Sequence, residues 1–152
     1  MDSFDRHILS LLQRDADMPI KDLAEAVNLS TTPCWKRIKK LEKEGYIRAK
    51  VALLDPVLLG LGLSVLVQVK TQRHDKVWLD TFAKTVSQFE EVMAFYRMSG
   101  EWDYMLRVVV SDIAAYDTFY KKLITSVDGL SNITSSFAME QIKYTTALPL
   151  PR

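Results

Sequence analysis

Seven side chains within ten residues carry chemistry suited to a polyanion: Thr31, Thr32, Trp35, Lys36, Arg37, Lys39 and Lys40. Lysine and arginine neutralise phosphates and reach guanine edges, and threonine offers a hydroxyl and a methyl to bases or phosphates. Trp35 suits packing on a sugar or on neighbouring helices. Interleaved with them, Cys34, Ile38 and Leu41 recur at i, i+4, i+7, the buried stripe of one helix. A basic helix face taken alone fits bare solvation as well as a partner, so the surrounding elements have to decide.

Charge is segregated along the chain. The sequence has 152 residues, with 20 Lys and Arg against 19 Asp and Glu. Residues 1–29 carry −3, residues 30–50 carry +5, and the remainder −1. One basic block therefore sits in a mildly acidic protein, the electrostatic footprint of an element that meets a polyanion. At 48% hydrophobic and 26% charged residues the chain is folded rather than disordered. Its single cysteine excludes an internal disulfide framework. No apolar run reaches the roughly 18–20 residues of a membrane helix, and the acidic start resembles no secretory signal. These features predict a cytoplasmic globular protein with no membrane partner.

Three short helices must position the basic face. Phe4, Ile8, Leu11 and Leu12 mark the first, with Asp2 or Ser3 as cap. Ile20, Leu23, Ala24 and Val27 mark the second, entered through Pro19. The third is capped by Ser30, carries Pro33 in its first turn and ends at Gly45. Only Asn28, Leu29 and Ser30 separate the last two, the tight turn of a helix-turn-helix. A short strand is expected over Tyr46–Ala52. Residues 54–62, with Pro56, Gly60 and Gly62, read as a linker. Beyond it, strands at Leu63–Thr71, Val92–Met98, Tyr104–Val110 and Leu130–Lys143 alternate with helices at Trp78–Gln88 and from Tyr116 to Val127. This βαββαβ order is the ferredoxin-like plan. The expected class is α+β: an N-terminal helix-turn-helix domain (1–53), the linker (54–62), and a C-terminal ferredoxin-like domain (63–152).

Several motifs occur together in this order. Phe4-Asp5-Arg6-His7-Ile8-Leu9 resembles a "D-x-x-I-L" opening. Residues 23–37, through Leu29-Ser30, Thr32-Pro33-Cys34 and Arg37, are similar to "LA-x-x-V-x-LS-x-TPC-x-x-R". Leu41-Glu42, Gly45 and Ile47 match "LE-x-x-G-x-I", and residues 99–104 resemble "SG-(D/E)-x-DY". Over about residues 4–150 the chain resembles the leucine-responsive regulatory protein/asparagine synthase regulator family of transcription factors. The resemblance implies binding of double-stranded DNA and of an amino-acid effector, and a homodimer assembling to a tetramer or octamer. It also implies that the 47–53 strand and the bridge help build the dimer, and that effectors bind between effector domains. Residues 135–149 look closest to the branch with regulators of cysteine detoxification and branched-chain catabolism. Arg97 and Met98 depart from the small or apolar residues usual before the loop.

The implied effector-binding residues are Met98, Ser99, Gly100, Glu101, Trp102, Asp103 and Tyr104, with Ser136, Phe137 and Ala138 approaching from another side. Gly100 permits positive φ, consecutive N–H groups suit a carboxylate, and Glu101 or Asp103 suits an ammonium. A glycine between two strands is otherwise a plain hairpin turn, and residues 135–139 also read as ordinary sheet packing. Cys34 reads as core rather than a reactive thiol. His7 and His74 fall in different domains, so no metal, cofactor or catalytic constellation is expected. Two other classes remain as alternatives: a ligand-independent architectural DNA-binding protein, and a haem-biosynthesis decarboxylase of related fold.

Overall fold

The computed structural model describes residues 1–151, which divide into two compact units. The first comprises Met1–Leu53 together with the segment from Ile142 onward; the second is Leu54–Gln141. The segment from Ile142 on, expected from the sequence within the 63–152 domain, groups instead with the first unit.

The first unit holds α1 (Ser3–Leu12), α2 (Ile20–Ala26) and α3 (Thr31–Lys43). Asp2 caps α1 in a reciprocal box, accepting from Asp5 N at 2.9 Å while the Asp5 carboxylate accepts from Asp2 N. Ser30 stands at the N-cap of α3 but its side chain makes no capping bond, contrary to expectation. The last two helices close alike. Asn28 (φ 55°) follows α2, with Leu29 N–H donating to Ala24 O and Asn28 N–H to Glu25 O. Gly45 (φ 81°) follows α3, with Tyr46 N–H donating to Leu41 O and Gly45 N–H to Glu42 O. Each is a left-handed residue closing a Schellman turn, and the first makes the sharp joint between α2 and α3. Ile8, Leu23, Val27, Cys34 and Leu41 are buried in one core, and Leu29 packs against it. Ile20, in the first turn of α2, is exposed although it shares the helical face of Leu23, Ala24 and Val27. Burial pushes the Cys34 thiol up, away from reactivity.

Residues 46–52 form no strand. Alternation gives a segment two faces, but a strand also needs a neighbour to share its ladder, and the described chain supplies none there.

The second unit contains β1 (Leu63–Thr71), α4 (Lys76–Val86), β2 (Val92–Arg97), β3 (Tyr104–Val110), α5 (Ile113–Ser126) and β4 (Leu130–Phe137). The sheet order is β2-β3-β1-β4, antiparallel throughout, the ferredoxin-like topology. Val65, Val67 and Val69 on β1 join Leu106 and Val108 on β3 in a core with Trp78, Phe82, Phe119 and Leu123 from the helices. The other sheet face carries Leu66, Gln68 and Lys70 on the same strand; Leu66 is exposed, and Met105 lies on that side rather than in the core. Strand β4 stops at Phe137 instead of Lys143. Phe137 faces Val65 and Ala138 N–H donates to Ser64 O, so only Leu63 of β1 remains beyond that point, too little to pair with residues up to Lys143.

The Asp2 carboxyl lies below the usual carboxylate range, chiefly because Asp5 N–H donates to it and then because of Arg37. A depressed folded pKa contributes stability that is present above the unfolded value and lost as pH falls through the folded one. The first unit should therefore lose stability as pH drops below about 4. In Asp2→Asn, which keeps a capping oxygen but cannot titrate, acid unfolding followed by circular dichroism should show a shallower pH dependence; an unchanged slope would exclude Asp2 as a source of it.

Candidate DNA and effector sites

The third helix presents its basic face as expected. Thr31, Thr32, Trp35, Lys36, Lys39 and Lys40 are all exposed. Trp35, at 52% exposure, takes no part in the helical core. Lys39 pairs with Glu42 at 2.7 Å and lies over the Trp35 ring, and Lys40 approaches Glu44 at 3.8 Å. These are solvent-exposed pairs of a kind worth at most about 1 kcal/mol, so either lysine can exchange its carboxylate for a phosphate. Lys36 makes no ion pair among the described residues.

Arg37 is different. One guanidinium nitrogen holds Asp2 Oδ2 at 2.7 Å and Asp5 Oδ1 at 2.8 Å, and the group lies over the Phe4 ring at 5.4 Å. The Asp5 side chain is only 7% exposed, and removing one partner of such a pair leaves a poorly solvated charge behind. Hydrogen bonds from Arg37 to Asp5 and then Asp2 raise its own pKa further. Arg37, expected from the sequence among the phosphate contacts, is thus occupied in fastening α3 to the start of α1. Its partners stand 32 and 35 positions away, beyond the reach of any local motif.

In the second unit, residues 98–103 join β2 to β3. Gly100 has φ 116°, and a Cβ there would meet nothing within 4 Å. Met98 N–H donates to Asp103 O, and Asp103 N–H to Val69 O. Between those anchors, the N–H groups of Ser99, Gly100, Glu101 and Trp102 donate to no protein acceptor among the described residues. The turn thus has open space at Gly100 and several backbone donors without a protein acceptor.

The two acids expected to receive an ammonium are engaged elsewhere. Asp103 Oδ2 accepts from Thr71 N at 2.9 Å. Thr71, buried where the β1–β4 register shifts, donates its hydroxyl to Gly129 O at 2.8 Å and accepts from Arg73 N. Asp103 therefore knits the loop to the end of β1 and to the start of β4. Glu101 pairs with Lys70 at 3.3 Å, and Lys70 also lies 4.9 Å from the Trp102 ring centroid. Sequence reasoning missed Lys70, whose alternating position in β1 marks only the sheet face on which it stands. Tyr104 is buried against Trp78, Phe82 and Phe95 and is core.

Ser136, Phe137 and Ala138 do not meet this loop within one chain. Tyr104 pairs with Val69, whereas Phe137 pairs with Val65. Four residues of strand, about 13 Å, separate the two halves along β1. Ser136 and Ala138 are exposed, and Phe137 packs edge-on to Tyr116, whose hydroxyl bonds Ser135. Among the described residues no cluster of side chains could hold a metal.

Residues 64–148 match the Lrp/AsnC ligand binding domain and residues 1–48 match a winged helix-turn-helix DNA-binding domain. The chain belongs to the Lrp/AsnC family. It is 56% identical over 150 residues, 99% of both chains, to the DNA-binding transcriptional activator DecR of Escherichia coli K12. An AsnC family transcriptional regulator from Agrobacterium tumefaciens superposes with a TM-score of 0.95 at 55% identity, covering 98% of this chain and 97% of that one. A transcriptional regulator from Neisseria meningitidis, solved as an L-Met complex, superposes at 0.92 with 36% identity, covering 98% and 96%. This Lrp/AsnC protein is accordingly a DNA-binding transcriptional regulator carrying a ligand-binding domain. None of its described helices is long and apolar enough to cross a membrane.

Two substitutions separate contact from support. Lys36→Ala should lower DNA affinity and flatten the salt dependence of binding by about one unit. Arg37→Ala should lower the thermal midpoint and leave the salt slope of the folded protein unchanged; a slope reduced as in Lys36→Ala would make Arg37 a phosphate contact. In Asp103→Ala the loss of a charged acceptor for Thr71 N–H should cost about 1–3 kcal/mol in denaturant unfolding, and an unchanged midpoint would remove Asp103 as the fastener of the loop.

Proposed function

We propose that this regulator senses an amino acid, holding its carboxylate in the cradle at Ser99–Trp102 while Ser136, Phe137 and Ala138 of another copy close the site. The observation that carries this reading is the row of free N–H groups around Gly100. The separation of the two candidate halves along β1 is the reason for invoking a second copy. The L-Met bound in the Neisseria relative supports an amino acid as the ligand class. With Asp103 and Glu101 engaged, the ammonium would displace Lys70 from Glu101, whose carboxylate is well exposed.

On DNA, Thr31, Thr32, Trp35 and Lys36 form the base-proximal surface, and Lys36, Lys39 and Lys40 supply phosphate affinity. Arg37 orients that surface from behind. Assembly as a homodimer or a larger oligomer fits the apolar residues left in solvent at Val51, Leu53, Leu54, Val57, Leu58 and Leu59, a run long enough to mark an interface rather than scattered exposure. The role is regulatory rather than catalytic, and its setting is the cytoplasm.

A thermal-shift series against each common amino acid at millimolar concentration tests the effector. A ligand at about 100 times its Kd stabilises by roughly 2.7 kcal/mol, about 5–10 °C for a chain of this size. The expected result is a shift with one or a few amino acids that weakens in a Gly100→Val variant, whose Cβ and positive φ disturb the cradle. No shift with any amino acid would overturn the amino-acid reading.

A further inference from the structure

Beyond β4 the chain does something that neither the DNA surface nor the effector loop requires. Residues 138–146 are exposed without exception, Met139 almost completely. Burial resumes at Ala147 and Leu150, and there the segment belongs to the first unit. The fastening is specific. Gln13, the C-cap of α1, donates its amide nitrogen to Leu148 O at 2.9 Å and accepts from Leu148 N at 2.8 Å. One carboxamide thus satisfies both backbone groups of one residue, as a neighbouring strand would. Thr145 Oγ1 accepts from Ala147 N, and Pro149 follows the clasped residue. These features stiffen the segment on both sides of the clasp and lower the entropy lost on docking.

We infer that residues 142–150 are a strap, held by Gln13 at the end of α1, that makes a second and breakable connection between the ligand-binding unit and the DNA-binding unit. The first connection is the linker after Leu53. The second starts from β4 itself, the strand that carries Ser136 and Phe137, and crosses an exposed spacer of up to about 30 Å when fully extended. Gln13 is on α1 and the basic face is on α3, so docking leaves the recognition surface uncovered. What the strap restricts is the freedom of the DNA-binding unit. Two neutral hydrogen bonds, each worth about 1 kcal/mol, make a clasp that a modest force can open. The consequence for regulation rests on the DNA and effector reading above; the clasp itself does not.

The clasp is tested first. Cysteines placed by Arg14→Cys and Leu148→Cys lie beside it without removing Gln13, and the native Cys34 is buried. A short bismaleimide should link them within one chain, and adding Gln13→Ala should abolish most of that product. Absence of the link, its persistence without Gln13, or covalent dimers in its place would each overturn a strap closed within the chain. Hydrogen exchange gives a second reading. The Leu148 amide should be protected in the parent protein and exchange freely in Gln13→Ala, with the amides of α1 and α3 unaffected; free exchange in the parent would overturn the proposal.

The tether is tested next, on a mixed-sequence DNA duplex at low salt. Gln13→Ala, and a chain ending at Gln141, should each bind about threefold or more weakly with an unchanged salt slope, as expected when a linked unit is given more freedom. Equal affinity in both variants would overturn the tether. Failure of the parent protein to bind the duplex would count against the DNA reading alone, since cross-linking and exchange report the clasp independently.

Discussion

The orientation of α3 against α1 turns on one buried carboxylate. Asp5 lies almost out of water at the base of α1 and is tolerable there only with a cation and hydrogen bonds around it. Arg37 supplies the cation from α3, Asp2 completes the box, and Phe4 covers the guanidinium. The pairing costs desolvation and returns much of it in geometry, so its value lies less in net stability than in permitting one angle between α1 and α3. The lysines beside it are the opposite case: solvated, loosely paired and free to change partners. Neighbouring cations on a single helix are thus sorted into a fixed one and mobile ones by what stands behind them.

The ligand-binding unit has a comparable centre at Thr71. Its N–H, its hydroxyl and the carboxylate of Asp103 join the loop before β3, the end of β1 and the start of β4. This leaves the loop stiff at its two ends and unsatisfied in its middle. In the proposed reading, a turn held that way has little to reorganise on meeting a carboxylate, the condition under which hydrogen bonds to a ligand are most favourable.

Periodicity made most of the elements legible. The Cys34, Ile38 and Leu41 stripe, the tight joint at Asn28 and the βαββαβ order all follow from local spacing, because each is decided by neighbours within a few residues. What escaped depended on distant partners. Tyr46–Ala52 alternates like a strand but has no ladder to join. The alternation after Phe137 continues while β1 ends, so pairing stops with the partner rather than with the pattern. Arg37 looks like its neighbouring lysines until Asp2 and Asp5 come into contact with it. Glu101 and Asp103 have the right charge for an ammonium, but Lys70 and Thr71 N–H, on another strand, already hold them. Gln13 carries no mark in the sequence of the residue it grips.

The offset of the two candidate halves of the effector site, about 13 Å along β1 and on opposite sides of that strand, has a bearing on how such a regulator is tuned. A pocket complete within one chain fills according to ligand concentration alone. A pocket whose walls come from two copies fills according to ligand and protein concentration together, because association and occupancy are linked by mass action. In the proposed reading, a cell that makes more of the regulator thereby lowers the amount of amino acid needed to saturate it. Expression level then becomes a second input to the sensor, and the set point of the response can move with no change in any residue that touches the ligand.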